Sequence, residues 1–220
     1  DLSALEDVSF DVARGEFVCL IGPSGCGKST LLRIAAGLLA PSRGEILLEG
    51  QPQRVPQKRV GLVFQQPTLL PWRTVRDNIA LPLELMRLPP GDAQACTDDL
   101  LELVGLAGFE QEYPIHLSGG MAQRTALARA LAQNPEVLLL DEPFGALDAL
   151  TRERMAAELL RIWERDKRTV LMVTHSVEEA VLLADRVVVL SARPGHVVEI
   201  VEVTLPRPRS PALLTTPALQ

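Results

Sequence analysis

The stretch that decides the fold is residues 17–32, FVCLIGPSGCGKSTLL. Its first five residues are apolar, partly β-branched and followed by a glycine, which predicts a short buried strand. Residues 22–29 then fit the spacing G-x-x-x-x-G-K-[ST] of a phosphate-binding loop. Apolar residues at helical spacing continue to Leu38, so we expect a helix after the loop. Strand, glycine loop and helix in this order are the context that the motif requires.

The glycines and the lysine of this loop determine its chemistry. Glycine readily adopts positive φ, which lets successive N–H groups point inward, and the helix that follows directs its positive end to the same place. Lys28 would supply a charge for the β- and γ-phosphates, and the Ser29 hydroxyl could bind Mg²⁺. The alternative is a glycine-rich turn that binds nothing, but the complete motif favours a nucleoside triphosphate. The predicted nucleotide-binding residues are Gly22, Pro23, Ser24, Gly25, Cys26, Gly27, Lys28, Ser29 and Thr30.

Composition restricts the class of protein. The 220 residues carry a formal net charge of −6, which argues against a nucleic-acid partner because such binding needs a basic face. Three cysteines, one of them inside the loop, do not form a disulfide framework and favour a reducing cytosol. We find neither an apolar run of about 18 residues nor a secretory signal. Because the lead-in to the first strand is short, we expect a further segment before Asp1.

Strand and helix patterns alternate on both sides of a helical stretch, which predicts an α/β fold with a mostly parallel sheet covered on both faces. We expect further strands at 5–12, 44–50, 59–64, 136–141, 169–174, 186–191 and 197–203. We expect further helices at 74–86 (bent or capped by Pro82), 92–104, 118–132, 148–166 and 176–184.

A second buried strand, within 136–141, ends in the acids Asp141 and Glu142. If this strand ends beside the phosphate loop, Asp141 could hold Mg²⁺ and Glu142 could polarise a water molecule for attack on the γ-phosphate. Taken alone, an ordinary strand that ends in a solvated charge pair is an equally good interpretation. The phosphate loop in the same chain favours the catalytic one.

Residues 117–121, LSGGM, open the helix at 118–132. Ser118 is a natural N-cap, and Gly119 and Gly120 expose backbone N–H groups at the helix start, which makes a second anion site. One nucleotide has no use for two distant anion sites, but two copies facing each other do, because each signature can close on the nucleotide of its partner. A well-capped helix alone would explain Ser118 but neither the glycine pair nor Gln123-Arg124.

Taken together, these motifs resemble those of ABC-type ATPases over residues 1–205. The matching set is the phosphate loop 22–29, Gln65, the signature 117–121, the strand 137–142, the D-loop 146–148 and His175. The resemblance implies one domain at 1–205, with a P-loop NTPase (RecA-like) core at 1–66 and 133–205. It also implies an N-terminal antiparallel β portion and an inserted α-helical subdomain at about 67–132. We expect 206–220 to be a flexible tail.

The resemblance also implies roles for single residues. Gln65 would contact Mg²⁺ and the attacking water, and His175 would contact the γ-phosphate and help to orient Glu142. Asp148 of the D-loop would communicate across a dimer, although it could equally be only the N-cap of its helix. Without the resemblance, a glutamine after a strand and a histidine at a strand end would be unremarkable. The adenine-stacking aromatic residue of the family is not found before Leu5, and Phe10 and Phe17 look like core.

The function implied by the resemblance is ATP hydrolysis, with ATP and Mg²⁺ as cofactors, to power a membrane transporter. The implied partners are a second copy in a head-to-tail ATP sandwich, transmembrane permease subunits and, indirectly, a solute-binding protein. The implied location is the cytoplasmic face of a bacterial-type membrane. The phrases 64–72, 141–151 and 190–195 are similar to importers of nitrate, sulfonate and taurine.

Two alternatives are an ABC ATPase that acts on DNA or ribosomes and an inactive nucleotide sensor. The small helical insertion argues against the first. The presence of both Glu142 and His175 argues against the second.

Overall fold

The computed structural model of the chain describes residues 3–209. The strands are β1 (Phe17–Ile21), β2 (Leu47–Leu48), β3 (Gln51–Pro52), β4 (Val60–Val63), β5 (Val137–Asp141), β6 (Thr169–Val173), β7 (Arg186–Leu190) and β8 (Val197–Glu202). The helices are α1 (Lys28–Ala35), α2 (Val75–Leu85), α3 (Pro90–Leu103), α4 (Gly119–Ala132), α5 (Ala149–Asp166) and α6 (Val177–Leu183), with a 3₁₀ turn at Pro114–His116. After residue 52 the predicted bounds differ from these by a residue or two, whereas α1 ends three residues before the expected Leu38 and β3 was not predicted.

A six-stranded sheet in the order β4-β5-β6-β1-β7-β8 forms the centre of the molecule. Its strands pair in parallel from β4 to β7, and β8 is antiparallel at the edge. In β1, Phe17 and Cys19 face one core cluster while Val18 and Leu20 face the other, so both sides of the sheet are covered. Burying each of the larger apolar side chains contributes about 1.5–3 kcal/mol to stability. The central strand therefore gives the loop that follows it a rigid base.

The order of the strands brings the candidate residues together. Parallel strands have their carboxyl ends at the same edge of a sheet, and β4, β5, β6 and β1 are successive neighbours. Gln65 follows β4, Glu142 follows β5, His175 follows β6 and the loop 22–27 follows β1. Residues scattered along the sequence thus meet at one edge.

Helices α2, α3 and α4 are inserted between β4 and β5, and α2 packs against α4 and α3. Thr74 caps α2 by accepting from Asp77 N at 3.1 Å. The amide of fully buried Asn78 donates to the carbonyls of Leu70, Arg73 and Thr74, which fastens the preceding loop to the helix. Helix α2 continues through Pro82, so this proline does not end it. The division into a core and a helical subdomain remains a prediction.

The strand expected at 5–12 is wrong. Apart from one parallel bridge between Leu5 and Gly195, residues 3–13 of the described chain have no strand pairing. Their alternation has another cause, because Leu5, Val8, Phe10 and Val12 pack against the second core cluster with one side of the segment. The strand expected at 44–50 is reduced to β2, so the antiparallel portion consists of β2 and β3.

The expected flexible tail is anchored at its start. Arg209 is 6 % exposed and donates to the carbonyls of Val181 and Ala184 at the end of α6. The Arg207 guanidinium lies 4.0 Å from the centre of the Trp163 ring and binds Asp185 at 2.7 Å. The chain is therefore held through residue 209, and 210–220 lie outside the described residues.

None of the helices in residues 3–209 combines the length and the apolar character that a membrane crossing would need.

Candidate functional site

The phosphate loop is closed on itself by its lysine. The Lys28 ammonium is buried and donates to the carbonyls of Gly22 at 2.7 Å and Pro23 at 2.9 Å, and it lies 3.8 Å from Cys26 Sγ. These bonds place the positive charge at the centre of the loop. Gly27, the residue before α1, has a φ of +102°, a backbone conformation that residues with a side chain rarely adopt. Helix α1 thus begins directly at the loop, and its first N–H groups face the place where a phosphate would bind.

The first turn of α1 and the end of β5 are joined by a hydrogen bond from Ser29 Oγ to Asp141 Oδ1 at 2.9 Å. Burial raises the pKa of Asp141, and the hydrogen bond from Ser29 opposes that rise. A hydroxyl and a carboxylate that meet beside a phosphate loop fit Mg²⁺, which is usually held by one or two protein oxygens together with substrate phosphates. In the described residues we find no cluster of three or more histidine, cysteine, aspartate or glutamate side chains that could hold a metal by itself. The arrangement suits a cation that arrives with a nucleotide.

Glu142 lies between the other two predicted catalytic residues. Its Oε2 accepts from Gln65 Nε2 at 3.1 Å and lies 3.4 Å from His175 Nδ1. Glu142 has a φ of +47°, an unfavourable value for a non-glycine residue that costs about 1–3 kcal/mol. Its backbone N–H donates to Val173 at the end of β6, which holds the turn in place. The structure therefore brings Gln65, Glu142 and His175 into one cluster.

The signature begins α4 as the sequence predicts. Ser118 Oγ accepts from Met121 N at 3.2 Å, and both Ser118 and Gly119 are exposed. A Cβ on Gly120 would lie 2.8 Å from Leu147 Cδ2, so a larger residue there would have to displace the Leu147 side chain of the D-loop. A Cβ on Gly119 would meet only an ordinary contact with Ala146 at 3.7 Å. Within this chain there is therefore room for a side chain at Gly119.

Asp148 is the N-cap of α5, where its carboxylate accepts from Thr151 N at 2.9 Å. That backbone hydrogen bond is the main reason that the pKa of Asp148 lies below its usual value. The capping role is therefore present in the structure. The role in communication across a dimer remains a prediction.

Gln123 is a further residue of the site, and its role was not predicted from the sequence. Gln123 is 2 % exposed, and its Nε2 donates to the carbonyl of Phe64, the residue before Gln65, at 3.1 Å. Arg129, further along α4, donates to the carbonyl of Thr68. The helix that starts with the signature therefore holds the segment that carries Gln65. The sequence signal for this contact was the polar Gln123 among the buried residues of α4.

No role was predicted from the sequence for Thr174, which precedes His175, or for Glu179, which lies four residues after it in α6. Both are buried, and Thr174 Oγ1 donates to Glu179 Oε2 at 2.5 Å. The spacing S-x-x-E at residues 176–179, that of a capping box, could have drawn attention to Glu179.

A protein-family model described as ABC transporter matches residues 5–145. An uncharacterized ABC transporter ATP-binding protein of Methanocaldococcus jannaschii is 53 % identical over 208 residues, which cover 94 % of this chain and 78 % of that protein. The nitrate import ATP-binding protein NrtD of Synechococcus elongatus is 50 % identical over 94 % of this chain and 76 % of its own length. The aliphatic sulfonates import ATP-binding protein SsuB of Bacillus cereus is 49 % identical over 95 % of this chain and 82 % of its own length.

A solved structure of a dimeric ATP-binding cassette in a post-hydrolysis state, bound to ADP and Pi, superimposes with a TM-score of 0.84. It is 33 % identical, and the match covers 92 % of this chain and 91 % of that one. Its fold is a cassette of the same kind as the one described here. The chain belongs to the family of ABC transporter ATP-binding proteins. It binds and hydrolyses ATP as the energising subunit of a membrane transport system.

Proposed function

We propose that this chain powers the import of a small oxyanion or sulfonate as a homodimer bound to permease subunits. The observation that carries the catalytic part is the meeting of Lys28, the Ser29–Asp141 pair and the Gln65–Glu142–His175 cluster at one edge of the sheet. The solute class is supported by the relatives named for nitrate and aliphatic sulfonates import. The same relatives favour transport over an action on DNA or ribosomes.

Each group at the edge has a task in hydrolysis. The loop N–H groups, the start of α1 and Lys28 bind the phosphates, while Ser29, Asp141 and Gln65 would hold Mg²⁺. When bound, Mg²⁺ neutralises charge on the β- and γ-phosphates. Glu142 accepts a proton from the attacking water as the water oxygen bonds to the γ-phosphorus, while the bond from that phosphorus to the β,γ-bridging oxygen breaks and ADP leaves. Gln65 and His175 hold the carboxylate in position, as their distances to Oε2 indicate.

A second copy completes each site. Ser118 and Gly119 are exposed at the start of α4, where the N–H groups and the helix dipole attract an anion. The similar solved structures are dimers. We therefore assign Ser118, Gly119 and Gly120 to the γ-phosphate of the partner's nucleotide, with Asp148 beside the two-fold axis.

The permease would dock on the helical side. A groove between α2, β4 and α4 is lined by Leu62, Leu81, Pro82, Leu85 and Arg129, and the Leu85 side chain is 74 % exposed. An apolar groove with a basic residue in its lining suits a short amphipathic segment of a permease. This docking would hold the chain at the cytoplasmic face of the membrane. A solute-binding protein would act on the opposite side.

The test uses Leu85→Cys in the full chain, co-expressed with permease subunits carrying single cysteines in their intracellular loops. We expect an oxidant-dependent crosslink at Leu85→Cys and none at Glu153→Cys, an exposed position on α5. A crosslink pattern that is the same at both positions would reject this docking surface. Solute-stimulated ATP hydrolysis in proteoliposomes would then identify the cargo.

A further inference from the structure

The short segment that carries His175 is held on both sides by hydrogen bonds. Thr174 Oγ1 accepts from Ser176 N at 3.0 Å and donates to Glu179 Oε2, and the Thr174 N–H donates to Leu20 at the end of β1. Ser176 Oγ in turn accepts from Glu179 N at 3.2 Å. We call residues 174–176 the switch segment. Its conformation depends on the carboxylate of Glu179, since that group fixes the Thr174 hydroxyl.

Glu179 also faces the D-loop through a second residue. Arg152 Nε lies 3.7 Å from Glu179 Oε1, while its terminal NH2 group donates to the carbonyl of Leu147 at 3.0 Å. The Leu147 side chain is the group that packs against Gly120 of the signature. A continuous set of contacts therefore runs from the signature through the D-loop and Arg152 to the residue that fixes the switch segment.

The contact between Arg152 and Glu179 is incomplete in this conformation. Arg152 Nε is a buried nitrogen with no hydrogen-bond partner among the described residues, and 3.7 Å is longer than an N–H···O bond. A shift of about 0.5–1 Å would complete the bond. Burial raises the pKa of Glu179, and the Thr174 hydroxyl and the Arg152 charge oppose that rise. A movement of the D-loop that brings Arg152 closer would therefore stabilise the carboxylate that holds the switch segment.

We propose that Arg152 and Glu179 are positioning residues for ATP hydrolysis, which couple the D-loop to His175. When a second copy packs against the signature and the D-loop, Arg152 moves with the Leu147 carbonyl and completes its bond to Glu179. The switch segment then holds His175 firmly against Glu142. Neither Arg152 nor Glu179 lies in the phosphate loop, so they act on the chemical step rather than on nucleotide affinity. This inference rests on the roles proposed above for His175 and Glu142.

The experiment measures steady-state ATP hydrolysis of the full chain with Arg152→Gln, Glu179→Gln and the double variant. We expect each single change to lower kcat about tenfold with KM for ATP within twofold of the parent. The double variant should be no slower than the slower single variant, because both changes break one interaction. Arg152→Lys keeps the charge and should recover part of the lost rate.

The matched control is the pair Arg161 and Glu158, which lies on the exposed side of the same helix α5 at 3.0 Å. Arg161→Gln and Glu158→Gln should leave kcat unchanged. The folding of every variant is checked by circular-dichroism melting. If Glu179→Gln does not fold, the coupling is tested by comparing the kcat of Arg152→Gln with that of Arg152→Lys.

Two results would overturn the coupling. One is an unchanged kcat in folded Arg152→Gln. The other is a double variant about a hundredfold slower, the product of two independent losses. His175→Ala reports separately on the proposed function, since a normal rate there would reject the role of His175 itself.

Discussion

Ser29 Oγ donates a hydrogen bond to Asp141 Oδ1 at 2.9 Å, although 112 positions separate the two residues in the chain. Helix α1 packs against β5, which places Ser29 in the first turn of α1 beside Asp141, the last residue of β5. The bond joins the phosphate loop to the strand that carries the acidic residues. A hydroxyl and a buried carboxylate at this distance can turn together toward one cation.

Asp141→Asn keeps the size of the side chain and an oxygen that can accept from Ser29, but it removes the negative charge. We expect weaker binding of ATP in the presence of Mg²⁺ and unchanged binding in EDTA. Because burial disfavours the charged carboxylate, the melting temperature should rise slightly. Calorimetric titration with and without Mg²⁺ measures the first effect, and equal losses under both conditions would contradict the assignment.

Glu142→Gln retains the shape of the side chain and its contacts to Gln65 and His175 but cannot accept a proton. We expect ATP binding to persist while turnover falls by about 10²–10⁴-fold, the usual contribution of a general base. With hydrolysis blocked, ATP should hold two copies together, so gel filtration with MgATP should show a dimer. Turnover at the parental rate would remove Glu142 from its role.

Lys28→Ala removes the charge at the centre of the phosphate loop and the bonds to the carbonyls of Gly22 and Pro23. The loss should appear in nucleotide affinity itself, at least tenfold in Kd. Lys58→Ala, at an exposed position in the groove between α2, β4 and α4 rather than in the loop, is the control and should bind ATP normally. Fluorescence titration with a labelled nucleotide gives both values.

Gly119→Ala separates the local fit of the signature from its proposed action on a partner. The added Cβ meets only Ala146 at 3.7 Å, and alanine stabilises a helix interior relative to glycine by about 1 kcal/mol and the first helical position by less. We therefore expect a higher melting temperature together with a loss of hydrolysis, since the methyl group would stand between the signature and the partner's phosphate. A stabilised variant with full activity would argue against the assignment in trans.

Stability at low pH should depend on Asp166 at the end of α5. Hydrogen bonds from Arg165, and then from Arg168, lower the pKa of Asp166 to about 2. A lowered pKa in the folded state stabilises the fold fully above the unfolded-state pKa of about 3.9, and that stabilisation is lost as the pH falls toward 2. Asp166→Asn should thus reduce the free energy of unfolding at pH 6, with the difference shrinking below about pH 4. Urea titrations across this range measure it.

The sequence predicted the features that depend on local pattern. The phosphate loop, the caps at Ser118 and Asp148 and the apolar strand before Glu142 are each encoded within a few residues. The segment 5–12 shows the limit, because alternation reports which side of a segment is buried but not whether a neighbouring strand exists to pair with it.

Contacts between distant segments could not be predicted from the sequence. Gln123 meets Phe64, and Arg152 approaches Glu179, only because strand order and helix packing bring these segments together. Arg209 likewise reaches the carbonyl of Ala184 only in the folded chain. The proline-rich sequence around it therefore did not predict that this segment is anchored. The long-range contacts were therefore the part that required the structure.

The positive φ of Glu142 has a consequence for laboratory evolution. Glycine or asparagine at this position would relieve backbone strain, so a selection for heat resistance alone would favour proteins that survive boiling but no longer consume ATP. Directed evolution of this enzyme for thermal stability must therefore measure ATP hydrolysis in every round, or exclude position 142 from the library.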